Sequence, residues 1–422
     1  MNEGARIVIV GAGHAGGTAA ALLRQHGHTG PILLIGEEPF APYQRPPLSK
    51  AYLKGETDAE SLKLRPDDFY AEHDIGFQPG TCVQAVDRER RQVRLQDGED
   101  AAYDILILAQ GSQNRRLDFP GARPGDLHEL RSLADAEGLK AAIGPGRRLV
   151  IVGGGYIGLE AAASARALGA EATVVELAPR VLARVACEEL SGFFEAYHRA
   201  RGVEILTGAQ VCELEREPDG TLAGVRLADG RQVACDAVLI GVGAVARAEL
   251  ARDCGLDCEG GVLVDLAGRT SDPNIFAIGD MTFRPMSHYD HRRHRLESVP
   301  NALDQARQAV AAILGQPAPP HEVPWFWSDQ YDLKLQIAGV PFDADTRVVR
   351  GAPQDAKFAI FHLNEGRIAA VEAVNCPAEF MAGRQLIAQG RTVDAAMLAD
   401  PAVSMRAVAS TLARAIETGP PA

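Results

Sequence analysis

The sequence predicts an α/β fold: two Rossmann-like dinucleotide-binding domains and a C-terminal α+β domain. Three features carry this reading. A short apolar strand, a glycine-rich turn and an Ala/Leu-rich helix follow one another over residues 6–25. The same succession returns over residues 148–168. The last hundred residues then switch to a hairpin pattern accompanied by helical segments.

In the first unit Gly11, Gly13 and Gly16 stand in G-x-G-x-x-G register directly after the apolar run at residues 7–10. The first glycine allows the tight turn, the second lets backbone approach a pyrophosphate, and the third brings helix against strand. The helix start then offers N–H groups and a positive dipole end to phosphate. A second apolar run at 32–35 ends at Gly36-Glu37-Glu38, where a carboxylate is placed to bond both hydroxyls of a ribose.

The second unit repeats the pattern. Residues 148–152 form the strand, Gly153, Gly155 and Gly158 the turn, and 159–168 a helix ended by Gly169. Two such units in one chain indicate two dinucleotides, and a flavin with a nicotinamide is the usual pair. Glu176 closes the next strand, 172–175. A carboxylate there bonds a ribose 2′-OH and repels a 2′-phosphate. Leu177 and Ala178 follow, with Arg180 the nearest arginine, so the residues predict NADH over NADPH.

Bulk properties set the limits. A chain of 422 residues has room for about three domains. Apolar content of 46% and charged content of 23% belong to a globular protein. A net charge of −13 argues against a general binder of nucleic acid or anionic membrane. There is no run of 18 apolar residues, and the start passes directly into the first strand, so a cytoplasmic protein is expected. The seven cysteines are scattered without a C-x-x-C pair. The reading is reduced thiols and no metal site.

Between and after these units the order of elements is also legible. Residues 41–53 carry paired prolines, and Pro47 is placed to begin a helix with Lys50 in its first turn. Residues 80–97 alternate as strands, and 103–109 read as a buried strand ending at Gln110 and Gly111. Residues 111–124 form a crossover. Residues 202–244 hold further strands. The apolar strand before Gly279 and Asp280 brings a close-approaching backbone and a carboxylate for polyol hydroxyls to a parallel strand end. Residues 288–295, the most basic run, carry His288, His291 and His294. On a helix that spacing drifts around the face, so a basic surface is expected there, not a metal site. A helix over 296–314 and a proline-rich linker over 315–324 follow. The C-terminal domain then has strands at 358–363 and 367–374, and helices near 378–389 and 403–417. Trp325 and Trp327, the chain's two tryptophans, stand at its start.

Five stretches carry a specific resemblance: Arg45-Pro-Pro-Leu-Ser-Lys-Ala-Tyr52, Gly153-Gly-Gly-Tyr-Ile-Gly-Leu-Glu160, Thr270-Ser-Asp-Pro273 with Gly279-Asp280, Leu296-Glu-Ser-Val-Pro-Asn-Ala302, and Pro324-Trp-Phe-Trp-Ser-Asp-Gln330. They run almost end to end. Through them the chain resembles the FAD-dependent, NADH-using ferredoxin reductases that serve bacterial haem-thiolate monooxygenases and ring-hydroxylating dioxygenases. The resemblance implies a glutathione-reductase-like fold. In it residues 1–112 and 245–322 form a discontinuous FAD-binding domain, 113–244 an NAD-binding domain, and 323–422 a C-terminal domain covering the flavin.

The resemblance also implies site residues. Ala15, Glu37, Arg45, Pro46, Lys50, Val83, Ala109, Arg131, Gly279, Asp280 and Val299 would contact FAD, with Lys50 near the reactive N5 edge and paired with Glu160. Trp327 would lie near the isoalloxazine. Gly155, Ile157, Glu160, Glu176 and Arg184 would line the NADH groove, with Glu297 near the nicotinamide. Gln110 departs from the family's Ala-Thr-Gly pattern, which bears on FAD affinity and not on reaction type.

The implied partner is a 2Fe–2S ferredoxin, with a terminal oxygenase served indirectly. Because such ferredoxins are usually acidic and this chain is too, a local basic patch is needed; Arg65, Arg292, Arg293, Arg307 and Lys334 are the candidates. A disulfide reductase is disfavoured, since only Cys82 lies within the first 180 residues, far past the 45–50 segment. The alternative from another class is an NADH-binding flavoprotein that acts as a redox sensor or assembly factor, of the apoptosis-inducing-factor type.

Overall fold

The computed structural model describes residues 4–410. The chain forms two compact units. The first comprises residues 4–44, Lys63–Gln113 and Val245–Phe326. Its centre is a five-stranded parallel sheet in the order Ile275–Ala277, Ile105–Leu108, Ile7–Val10, Ile32–Ile35, Ile75–Gln78. The run Ile7-Val-Ile-Val10 is apolar at every position because both faces of the strand are covered. Ile7 and Ile9 face a core shared with the helices His14–Gln25 and Val299–Leu314. Val8 and Val10 face the opposite core, built with Val93, Leu95 and Leu250. That second face is closed by the antiparallel strands Val83–Asp87, Gln92–Leu95 and Asp100–Ala102.

The second unit comprises Arg45–Leu62, Asn114–Ala244 and the described residues from Trp327 onward. It repeats the parallel sheet in the order Val203–Thr207, Glu171–Glu176, Arg148–Val152, Ala237–Ile240, Leu127–His128. A further five-stranded sheet carries the C-terminal residues, with Leu333–Gly339, Arg367–Val374, Lys357–Asn364 and Thr346–Ala352 paired antiparallel. The helix Pro377–Gln389 lies on it, and Gly383 allows the approach. A Cβ there would stand 2.7 Å from Val371 Cγ1.

Several local expectations are corrected. The 45–50 segment is a 3-10 helix, Pro46–Ser49, with Lys50 as its C-cap and not within a first helical turn. The region 80–97 holds the expected strands, Val83–Asp87 and Gln92–Leu95, joined by a turn at residues 88–91. Residues 287–291 are turns leading, through residue 292, into the short strand Arg293–His294. Asp290 and His291 adopt φ of 48° and 58°, in the left-handed region a helix excludes. An additional helix, Ala395–Ala399, precedes the last one. Residues 405–410 of the expected 403–417 helix are helical, and the remainder lies outside the described residues.

Candidate functional site

Both glycine turns have the same construction. A Cβ on Gly16 would lie 1.9 Å from the Gly11 carbonyl oxygen, and one on Gly158 would lie 2.2 Å from that of Gly153. The middle glycines differ in kind. A Cβ on Gly13 or Gly155 would meet nothing within 4 Å, so space stands open over the backbone at both turns. The helices that follow, His14–Gln25 and Tyr156–Ala167, have glycine N-caps, no side-chain cap and no acid in the first turn. Neither helix start is therefore capped by a side chain, which leaves its first-turn N–H groups to an anion.

Around the first turn, Ala109 packs so closely that a Gly11 Cβ would stand 2.4 Å from its carbonyl oxygen. The next residue, Gln110, has a buried Oε1 with no hydrogen-bond partner, a site that asks for a donor from a ligand. Gly279, with φ of 85°, brings its backbone to Ala15, since a Cβ would lie 3.3 Å from that methyl. Gln305, fully buried, holds this turn by accepting from Gly279 N at 3.2 Å and Thr282 Oγ1 at 2.9 Å. Asp280 accepts from Ser112 Oγ at 3.3 Å. Val299 opens the 299–314 helix behind the N-cap Ser298, and Glu297, just before it, pairs with Arg295. Glu37 pairs with Arg247, and Val83 begins its strand half-buried.

Around the second turn, Glu176 accepts from Gly154 N at 2.6 Å and from Ala178 N at 2.7 Å. The acid is thus tied to the glycine loop. Arg180 is committed elsewhere, donating to the carbonyls of Ala183 and Ala186 at 3.1 and 3.0 Å. No guanidinium from Arg180 is turned toward a 2′-phosphate. Arg184 lies against Gly243, where a Cβ would be 2.9 Å from its Nη2. Ile157, Leu177 and Val185 are exposed, although each neighbours the loop or the strand end.

The 45–50 segment belongs to this same unit. Arg45 donates to the Arg131 carbonyl at 2.6 Å, and Pro46 starts the 3-10 helix. The Lys50 ammonium has three acceptors: Glu160 Oε2 at 2.6 Å, Pro46 O at 3.1 Å and Ser49 Oγ at 3.3 Å. Glu160 is 2% exposed and fully engaged. Its Oε2 also accepts from Ser49 Oγ at 2.5 Å, while Oε1 accepts from Ser328 Oγ at 2.5 Å. Trp327, half-buried, is therefore the neighbour of a residue locked onto Glu160. From Ser328 the chain of bonds continues through Gln330 to His198 and Tyr331.

The expected pair Lys50 and Glu160 is thus brought together. Sequence reasoning missed Ser49, Ser328, Gln305, Ser112 and Arg247. Ser49 and Ser328 lay inside the quoted motifs, but neither carries a local signal for its distant partner. Of the expected basic residues, all are exposed. Arg307 pairs with Glu322 at 2.9 Å, Arg293 donates to Val264 O at 3.1 Å, and Arg65 lies 5.5 Å over the Phe69 ring. All seven cysteines are free, and no helix among the described residues is long and apolar enough to cross a membrane.

Comparison with known proteins places this geometry. Residues 5–306 match the pyridine nucleotide-disulphide oxidoreductase family, and residues 325–409 match the reductase C-terminal domain. The chain is 52% identical, over 97% of its length and 100% of the relative's, to a probable ferredoxin reductase of Castellaniella defragrans. It is 43% identical to the ferredoxin reductase subunit of a 5,5'-dehydrodivanillate O-demethylase from Sphingobium, over 93% of this chain and 95% of that one. Among solved structures it is similar to the covalent putidaredoxin reductase–putidaredoxin complex, with a TM-score of 0.95, 39% identity, and coverage of 98% and 100%. The open glycine turns and the uncapped helix starts fit the FAD and NAD(H) that such enzymes use. The chain belongs to the pyridine nucleotide-disulphide oxidoreductase family, and within it to the FAD-dependent, NADH-using ferredoxin reductases.

Proposed function

We propose that this protein takes electrons from NADH and delivers them to a 2Fe–2S ferredoxin that serves a haem-thiolate monooxygenase or a ring-hydroxylating dioxygenase. The observation that carries the reading is the pair of open glycine turns, one in each unit, in a chain whose relatives are named ferredoxin reductases. FAD supplies the chemistry when bound: it accepts a hydride from the nicotinamide and releases the electrons singly.

The chain's residues bind and orient. In this reading residues 1–112 with 245–322 hold FAD, 113–244 hold NADH, and 323–422 complete the flavin's surroundings. Gly11, Gly13, Ala15 and Gly16 receive the FAD pyrophosphate, Glu37 its ribose, and Val83, Ala109, Arg131, Gly279, Asp280 and Val299 the remainder. Gly153, Gly155, Ile157, Gly158, Glu176 and Arg184 receive NADH. Lys50, held by Glu160, sets a fixed positive charge at the flavin's reactive edge. Such a preorganised charge contributes on the order of 2–4 kcal/mol where negative charge develops. Trp327 covers the ring system, and Glu297 meets the nicotinamide. Hydride transfer needs stacked rings held at about 3–3.5 Å, so positioning is the larger part of the protein's work.

The ferredoxin docks on exposed cations, for which Arg65, Arg292, Arg293, Arg307 and Lys334 are proposed, and the protein works in the cytoplasm. The test mixes the purified flavoprotein with NADH and a panel of 2Fe–2S ferredoxins, following cytochrome c reduction. Ferredoxin-dependent turnover is expected. A long-lived NADH complex with slow reduction and no ferredoxin-dependent rate would favour the redox-sensor alternative. Charge reversal at Arg293 or Arg307 is expected to weaken the salt dependence of the ferredoxin rate.

A further inference from the structure

Three donor atoms of different chemistry meet in the interior of the second unit. Cys187 Sγ, one imidazole nitrogen of His362 and one carboxylate oxygen of Glu372 all lie within 4.8 Å of one another, and all three residues are buried. The fold brings them together in two steps. In the antiparallel pair Lys357–Asn364 and Arg367–Val374, His362 stands opposite Ala370, so Glu372 is its diagonal neighbour on the same face. Cys187 caps the helix Glu188–Ala200 and donates to Glu372 through both Sγ, at 2.8 Å, and its backbone N, at 3.2 Å.

The trio is incompletely satisfied. His362 Nε2 is buried and has no hydrogen-bond partner, although it stands 3.4 Å from Glu372 Oε2. An unpartnered imidazole nitrogen beside a buried carboxylate is a costly arrangement in the absence of a cation. A metal ion removes both defects at once. Sulfur, imidazole nitrogen and carboxylate oxygen are the donor set of zinc, and the thiol speaks against magnesium or calcium. Bonds of about 2.0–2.3 Å in a tetrahedron put donor atoms roughly 3.3–3.8 Å apart, a small adjustment from the spacing present.

We propose that Cys187, His362 and Glu372 form a three-ligand Zn²⁺ site that clamps the start of the 188–200 helix to the C-terminal sheet. On binding, the Cys187 thiol proton passes to solvent, and thiolate, neutral Nε2 and carboxylate each give one bond. The fourth position is left to water. None of the three residues has a part in the reading of the NADH or FAD sites, so metal binding is separable from electron transfer.

The test uses the full flavin-loaded chain, washed with chelator and titrated with Co²⁺ as a spectroscopic stand-in for Zn²⁺. Spectra are taken as differences from the flavin background. One saturable equivalent is expected, with the bands of four-coordinate cobalt and a thiolate-to-cobalt charge-transfer band, both discharged by Zn²⁺. C187S should lose the charge-transfer band, and H362Q should lose saturable binding. Saturating Zn²⁺ should raise the thermal midpoint of the parent protein and not of C187S. Absence of saturable binding in the parent overturns the site and leaves a hydrogen-bonded trio. An undiminished thiolate band in C187S also overturns it, since another cysteine would then be the ligand. Should C187S fail to retain flavin, H362Q serves in its place, and undiminished cobalt affinity there is equally fatal.

Discussion

The Lys50 ammonium stands 2.6 Å from Glu160 Oε2, with Lys50 17% and Glu160 2% exposed at the side chain. Each member is fixed by further bonds: the ammonium by Pro46 O and Ser49 Oγ, the carboxylate by Ser49 and Ser328. Lysine ordinarily has a mobile four-carbon stem. Here three acceptors hold its charge in one place, which is the condition for electrostatic preorganisation.

Lys50→Ala is accordingly expected to retain FAD and to slow flavin reduction by NADH by about 10²-fold in stopped-flow measurements. Breaking a buried pair by removing one partner costs about 3–5 kcal/mol, and the partial exposure of Lys50 points to the lower end. The thermal midpoint should fall as well. Glu160→Gln keeps the charge but loosens its anchor, so its rate should lie between the parent and Lys50→Ala. A reduction rate unchanged in Lys50→Ala would remove the lysine from the mechanism.

The two glycine turns should fail independently. In Gly158→Ala the new methyl meets the Gly153 carbonyl at 2.2 Å, and in Gly16→Ala the Gly11 carbonyl at 1.9 Å. Neither backbone can accept this without the helix moving off the strand, a cost of about 1–3 kcal/mol or more. Gly158→Ala is expected to purify yellow, with a raised KM for NADH. Gly16→Ala should purify depleted of FAD. A Gly158→Ala protein that loses its flavin while binding NADH normally would reverse the assignment of the two turns.

These turns were legible because their information is local. Strand, glycine spacing and helix lie within about twenty residues, and burial on both faces makes Ile7–Val10 apolar throughout. The network around Glu160 was not legible beyond Lys50. Ser49 and Ser328 reach it across 111 and 168 residues, and a serine in sequence does not announce its acceptor. Arg247, 210 residues from Glu37, is hidden for the same reason. Two expectations failed on backbone geometry. Consecutive prolines at 46 and 47 give a 3-10 turn that ends at Lys50, in place of a helix from Pro47 with Lys50 in its first turn. The histidine spacing is that of a face drifting around a helix, whereas Asp290 and His291 turn left-handed. The Cys187, His362, Glu372 cluster is a third case, since no two of its members share a motif.

Cofactor choice rests on Glu176. Its carboxylate is already bonded to Gly154 N and Ala178 N, and a 2′-phosphate would meet it at the same place. Glu176→Ala should raise the KM for NADH by about tenfold, one hydrogen bond to a charged group being worth about 1.5 kcal/mol or more. The KM for NADPH should fall in the same variant as the repulsion is lifted. Arg180 offers no rescue while it holds the carbonyls of Ala183 and Ala186. Steady-state KM values for both nucleotides check this, and an unaltered NADH-to-NADPH preference would contradict it.

The far end of the Glu160 network predicts acid sensitivity. His198 is fully buried; its Nε2 is 2.7 Å from Gln330 Oε1, and its Nδ1 is 3.3 Å from the Tyr331 hydroxyl. Burial lowers its pKa to about 4, the bond to Gln330 opposes this, and nearby Arg201 adds to the depression. The unfolded chain, with an ordinary histidine near 6.5, then binds more protons than the folded one between those two values. Stability from this residue is complete above about pH 6.5 and is lost as pH falls toward 4, by about 3 kcal/mol in all. Burial depresses His128 and His294 in the same sense, so the parent's slope has several contributors. The difference between parent and His198→Gln isolates one of them. Urea midpoints measured from pH 7 to pH 4.5 should fall less steeply in His198→Gln, and parallel slopes would show that His198 is not held neutral in the fold.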